Sequence, residues 1–315
     1  MAWSLVASQS VGSDPVTSNP AHAVAPVVGF AAVVDGTAEG LPDVPYRLIQ
    51  AGKINRSPTG DPISVILGTN RDEMALFLVA LPFVIPGVKL PFQDDGMQAQ
   101  RALDSNTLLS QPPHRTPLLP RMPSRRGVAN PVWQMVADHL AQYHSNWGAA
   151  EAAQIVAAYP RSDYETGNSQ IVRAGTDFCF ACGTRSAARA LATAGINTFL
   201  YSFEYEFKHY RKLSSPLCSL TAELGCGVYH SAELSFVFQK ASGRDATMAT
   251  AMGGYWSNFA KTGNPNGAGL VEWPRYSTAA DRHLRFAATI SAAAGLRNTT
   301  CDFWDTMPKE SPYNP

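Results

Sequence analysis

The stretch DPISVILGTNRDE, residues 61–73, decides how the rest of the chain is read. Its apolar run Ile63–Leu67 has the length and β-branched content of a buried strand, and a glycine and a polar loop follow directly. The loop carries a carboxylate pair, Asp72 and Glu73, and continues as MALF to Phe77. Charges in loops are commonly solvated and chemically idle. Loops at the carboxyl ends of strands are also where α/β folds carry their catalytic groups.

Around this stretch the chain alternates short helices with apolar strands. VVGFAAVVDGTAEGLP reads as a strand-forming run stopped by Asp-Gly, and PYRLIQAG as a short helix closed by Gly52. NPVWQMVADHLAQYH predicts a helix with Pro131 in its first turn and a stripe of Val132, Val136, Leu140 and Tyr143. TRSAARALATAG predicts a second, from Thr184 to Gly195. NTFLYSFEYEF alternates as a strand, with Phe199, Tyr201, Phe203 and Tyr205 on one side. TMATAMGGYWSNFAKTG predicts a helix presenting Met248, Met252, Tyr255 and Phe259 and ending at Gly263. The class is α/β, with a mainly parallel sheet covered on both faces.

Residues 1–26 read as an Ala/Ser/Pro leader without the basic start of a signal peptide, and 309–315 as a tail, leaving one domain over 27–308. Within it, Leu81 to Asn130 is a Pro/Arg-rich surface excursion, and Arg121, Arg125 and Arg126 read as a solvated loop.

Composition excludes several function classes. With 315 residues, 45% of them apolar, and zero net charge, the chain is a globular protein without the basic excess of a nucleic-acid binder. No apolar run reaches the length of a membrane span. His139 and His144 are five apart and fall on different sides of a helix, which is poor zinc spacing, and no Gly-rich phosphate loop occurs. Neither a metal nor a cofactor is expected. Glu73 and His230 remain the pair to weigh: both follow strand-like segments, and a carboxylate orienting an imidazole is half of a nucleophilic hydrolase site.

FAAVVDG, VILGTNRDE, TDFCFAC, TFLYSF, GVYHSAELSFVF, YWSNFAKTGNPN, WPRY and CDFW occur in that order between Gly29 and Trp304. In these segments the chain resembles the C-terminal part of a type-B carboxylesterase of the cholinesterase-like group, within the α/β-hydrolase fold. The resemblance implies an incomplete α/β-hydrolase fold in which Glu73 is the acid and His230 the base of a Ser-Glu-His triad. It also implies pocket-lining side chains at Leu76 and Phe77 and a small-molecule ester as substrate. Asp72 would structure its loop and Glu233 would serve as a structural hydrogen-bonding group.

By the same resemblance Cys182, five residues after Asp177, pairs with Cys301 of CDFW, leaving Cys179 free. Cys218 and Cys226 read as a bridge closing the loop between them. Sequons at Asn55 and Asn298, together with disulfides, fit a secreted or extracellular parent protein.

The departure from the family is the nucleophile. Gly-x-Ser-x-Gly occurs nowhere in the sequence; VGSDP and GNSQI come nearest and lack the second glycine. The Gly-rich segment of the family's oxyanion hole is missing too. Ser231, adjacent to the histidine, and Cys226 are rejected as substitutes, the former because neighbours in an extended segment point apart. Three readings follow: a fragment or incomplete gene model of an ester hydrolase whose serine lies on a missing N-terminal half; a catalytically dead binding or adhesion module; or an inactive remnant. The expectation for this chain alone is no hydrolysis.

Overall fold

The computed structural model describes residue 43 and residues 45–54, 63–80, 131–143, 147–207 and 227–308. The run Val27–Pro42, the excursion from Leu81, the tail, Asn55, Cys218 and Cys226 lie outside the described residues.

A short helix α1 (Pro45–Gln50) begins on proline and ends as expected, with Gly52 at φ +68° and Lys53 N–H donating to the Leu48 carbonyl at 2.8 Å. Strand β1 (Ser64–Asn70) follows, and the chain then turns into a 3₁₀ segment, Glu73–Ala80. The crossover to the next strand contains α2 (Pro131–Tyr143), α3 (Ala149–Ala158), α4 (Gly167–Thr176) and α5 (Cys182–Thr193). A π-helical turn, Asp177–Ala181, joins α4 to α5 without a break. Strand β2 (Asn197–Phe203), short helix α6 (Leu234–Val237), α7 (Ala246–Thr262), strands β3 (Arg282–Phe286) and β4 (Ser291–Ala294) and α8 (Asn298–Thr306) complete the order.

The sheet runs β1-β2-β3-β4. The first three strands are parallel, in register from Ser64 against Asn197 to Asn70 against Phe203, and β4 returns antiparallel to β3. This is the α/β class expected from the alternation of elements. At the centre, β2 is buried from Thr198 to Phe203, on both faces. Phe199, Tyr201 and Phe203 enter the main core with Trp273, Tyr255 and Phe286; Leu200, on the other face, packs with Ala188, Tyr276 and Leu296. Gly68 faces Tyr201 so closely that a Cβ there would lie 2.1 Å from the tyrosine ring, so the strand pairing itself demands glycine.

Two expectations need correction. The strand at 61–70 was read as buried, but within β1 only Thr69 and Asn70 are, and Ser64 to Gly68 are half-buried. On α2 the buried residues are Trp133, Val136, Ala137 and Ala141, so Val136 of the expected stripe faces the core; the side chains of Val132, Leu140 and Tyr143, like that of His139 and all of His144, lie outside the described residues. The segment bearing His230 is a series of turns, and the three residues directly before it, Gly227 to Tyr229, are not in a strand; residues 208–226 lie outside the described residues.

The expected bridge Cys182–Cys301 is present and ties the start of α5 to α8. Beside it the buried Arg185 holds Asp302 at 2.8 Å and Asp305 at 2.7 Å. Cys179 is free, and burial of its thiol pushes the pKa up to about 12, which makes it a poor nucleophile.

Candidate active site

The loop after β1 is fixed from three sides. Arg71 N–H donates to the Phe203 carbonyl at 2.9 Å, Asp72 N–H to the Val228 carbonyl at 3.0 Å, and Met74 N–H to Thr176 Oγ1 at 3.1 Å. Asp72 returns the contact: its Oδ2 accepts from Val228 N–H at 2.8 Å and from Arg71 Nε at 2.9 Å. Gly227, at φ +53°, lies so close that a Cβ on it would meet Asp72 Oδ2 at 2.1 Å. Asp72 thus joins the β1 loop to the segment leading into His230, and glycine is required where the two backbones meet.

That junction brings residues 73 and 230 together. Glu73 Oε2 lies 2.7 Å from His230 Nδ1 across 157 residues of sequence. Its other oxygen, Oε1, accepts Asn70 N–H at 2.7 Å and Thr69 Oγ1–H at 3.3 Å. With these donors the carboxylate is satisfied although its side chain is only 6% exposed, and the ring it holds is 28% exposed. Burial alone would lower the His230 pKa; the hydrogen bond and the charge of Glu73 outweigh it and raise the value above the ordinary one. With Nδ1 committed to the carboxylate, Nε2 is the ring atom left for proton exchange.

Asn70 extends the network. Its Nδ2 donates to the Tyr229 carbonyl at 2.8 Å and to Glu233 Oε2 at 2.6 Å, fixing the backbone next to the histidine. Burial is the main cause of the raised pKa of Glu233, and the charge of Glu73 adds to it. The His230 ring also contacts Phe77 and Phe180, each with centroids at 5.2 Å, and these two rings stack at 5.9 Å. Leu76 packs against the main core.

Phe180, Thr69, Asn70 and Thr176 were not singled out from sequence. Asn70 and Thr69 stood inside the GTNRDE run, and Phe180 inside TDFCFAC, where the π turn aims it at the histidine. Ser231 is exposed at φ +69°, inside a turn, so the extended-segment reason for rejecting it does not hold. Asn298, the described sequon, is exposed at the start of α8 and accepts from Arg185 Nη1 at 3.2 Å. Among the described residues no group of three or more His, Cys, Asp and Glu side chains could hold a metal ion, and no helix is long and apolar enough to cross a membrane.

A buried carboxylate satisfied on one oxygen and holding an imidazole on the other is the geometry of an acid and base in nucleophilic catalysis. The family model described as the carboxylesterase family matches residues 14–304. Among curated proteins the chain is similar to carboxylesterase 1D of Mus musculus, 28% identical over 140 residues covering 44% of this chain and 24% of that protein. It is similar also to carboxylesterase 4A of Bos taurus, 31% over 137 residues, 42% and 23%. A third is the medium-chain fatty acyl-CoA hydrolase precursor of Anas platyrhynchos, 40% over 81 residues, 24% and 14%. The matches span about a quarter or less of the length of these relatives.

Proposed function

The chain belongs to the carboxylesterase family, and from that premise we propose that it carries the acid, Glu73, and the base, His230, of a Ser-Glu-His site for hydrolysis of carboxylic esters. The observation that supports this reading is the 2.7 Å contact between Glu73 Oε2 and His230 Nδ1, with Asn70 and Thr69 completing the carboxylate. Glu73 holds the ring with its proton on Nδ1; Nε2 takes the proton of the attacking serine and returns it to the leaving alcohol, and Glu73 stabilises the imidazolium between the two steps. Phe77 and Phe180, against the ring, would present an apolar wall to the ester.

The serine and the main oxyanion donors would come from residues outside this sequence, because Gly-x-Ser-x-Gly does not occur in it. Lacking them, a tetrahedral intermediate forgoes about 3 kcal/mol or more of stabilisation and no acyl-enzyme forms. The Cys182–Cys301 bridge supports a secreted or extracellular location.

The test pairs two measurements. The 315-residue chain alone should resist a serine-directed fluorophosphonate probe and leave short-chain nitrophenyl esters intact. Joined to or co-expressed with an upstream segment bearing the nucleophile motif, it should be labelled and turn over the ester in a His230-dependent way. Robust hydrolysis by the lone chain would overturn the assignment of the serine elsewhere. A soluble, complete assembly that stays inert would favour the alternative of a binding or adhesion module.

A further inference from the structure

Two carboxylates act on His230, and among the described residues only Glu73 is bonded to its ring, Oε2 lying 2.7 Å from Nδ1. The other is Glu233, on the same turn as the histidine, whose charge also raises the His230 pKa. A second acid so near the base competes for the same imidazolium. Asn70 occupies it: Nδ2 donates to Glu233 Oε2 at 2.6 Å and to the Tyr229 carbonyl at 2.8 Å.

The amide is presented by a rigid element. Asn70 ends β1 in register with Phe203 and is 1% exposed. Its backbone N–H is committed separately to Glu73 Oε1 at 2.7 Å, so the backbone of this residue fixes one acid while its side chain holds the other. Its Oδ1 is buried with no hydrogen-bond partner among the described residues. An apolar side chain of similar size would avoid that unmatched acceptor, so what the amide contributes is its two donated bonds.

We propose that Asn70 is a positioning residue that assigns His230 its acid: by holding Glu233 and the Tyr229 carbonyl, it leaves Glu73 as the one carboxylate partner of Nδ1. This deepens the ester-hydrolysis site proposed above and rests on that reading. The bond to the Glu233 carboxyl group occupies the competing acid, and the bond to Tyr229 fixes the backbone from which the ring projects. Released, Glu233 would draw the imidazolium towards itself and the ring would divide between two acids.

Histidine-ring NMR on the folded chain tests this without a serine or a substrate. Asn70→Ala retains the backbone N–H that Glu73 uses, yet it should weaken or broaden the downfield Nδ1 proton of His230 and make the ring pKa less responsive to Glu73→Gln. Adding Glu233→Gln to Asn70→Ala should restore the proton, a non-additivity that a merely structural role would not produce. In the unsubstituted chain the Asn70 side-chain N–H protons should be downfield and protected from exchange, a readout that stands even where Asn70→Ala does not fold. In an assembly containing the nucleophile, Asn70→Ala should lower kcat by about tenfold to a hundredfold and change KM by less than about threefold. A wild-type chain with no downfield Nδ1 proton would sink the Glu73–His230 reading and this proposal with it. With that proton present in the wild type, its indifference to Asn70→Ala, its loss without recovery on adding Glu233→Gln, or freely exchanging Asn70 amide protons would overturn this proposal alone.

Discussion

Glu73 and Asp177 are both buried carboxylates next to helical turns, and they are held in opposite ways. Glu73 has a backbone N–H at 2.7 Å on one oxygen and a partly exposed imidazole at 2.7 Å on the other. Asp177 is fully enclosed in the π turn: Tyr159 donates to it at 3.2 Å, Trp304 in turn donates to the Tyr159 hydroxyl at 2.6 Å, and Arg297 Nε stands at 3.4 Å from its other oxygen. Burial raises the Asp177 pKa to about 6. The first arrangement ends at an opening with a ring nitrogen to spare; the second closes on aromatic core. Burial of an acid alone therefore does not mark a reactive site; what its partners present to solvent does.

The largest expected effect separates the two acids by activity. In an assembly that contains the nucleophile, Glu73→Gln should lower kcat by about 10³- to 10⁴-fold through loss of the ring's tautomer and charge support. Asp177→Asn should change kcat by less than about tenfold. Reversed sensitivities would exchange the roles given to the two carboxylates.

Stability should rank differently. The Cys182–Cys301 bridge spans 119 residues of sequence, and Cys301→Ala should cost about 2–5 kcal/mol in urea unfolding while leaving the His230 titration in the folded state unchanged. A titration that moves with the disulfide would mean that the two regions are one cooperative unit.

The pH dependence of stability sharpens the contrast further. Asp177 has a folded pKa, about 6, above its ordinary 3.8, so its contribution is full below about 4 and is lost as pH rises through 6, on the order of 3 kcal/mol in all. His230 is also raised, from 6.5, so its contribution is full below 6.5 and is lost as pH climbs through the higher folded value. Unfolding free energy measured from pH 4 to 9 should show two successive losses, with Asp177→Asn removing the lower one and Glu73→Gln the upper. A single step abolished by either substitution would contradict separate origins.

Much of this was legible in the chain before its structure. Local signals placed Gly52, Gly195 and Gly263, and all three close their helices at positive φ. The strand NTFLYSF showed alternation, yet it is buried on both faces, because a central parallel strand is covered by both layers whatever its pattern. The Glu73–His230 contact followed from the ordered family motifs; spacing could not supply it, since 157 residues and a backbone junction at Asp72 and Gly227 intervene. Phe180 and Asn70 escaped because their roles depend on a π turn and on a carbonyl at Tyr229, neither of which has a residue-level signature.

The central claim is that Glu73 holds and polarises His230, and the histidine's own titration tests it most directly. Following the His230 ring by NMR against pH in this chain needs no serine and no substrate. The account predicts a pKa above the ordinary 6.5, a downfield Nδ1 proton, and a drop in pKa with loss of that proton in Glu73→Gln. A His230 pKa at or below 6.5 that does not respond to Glu73→Gln would contradict it.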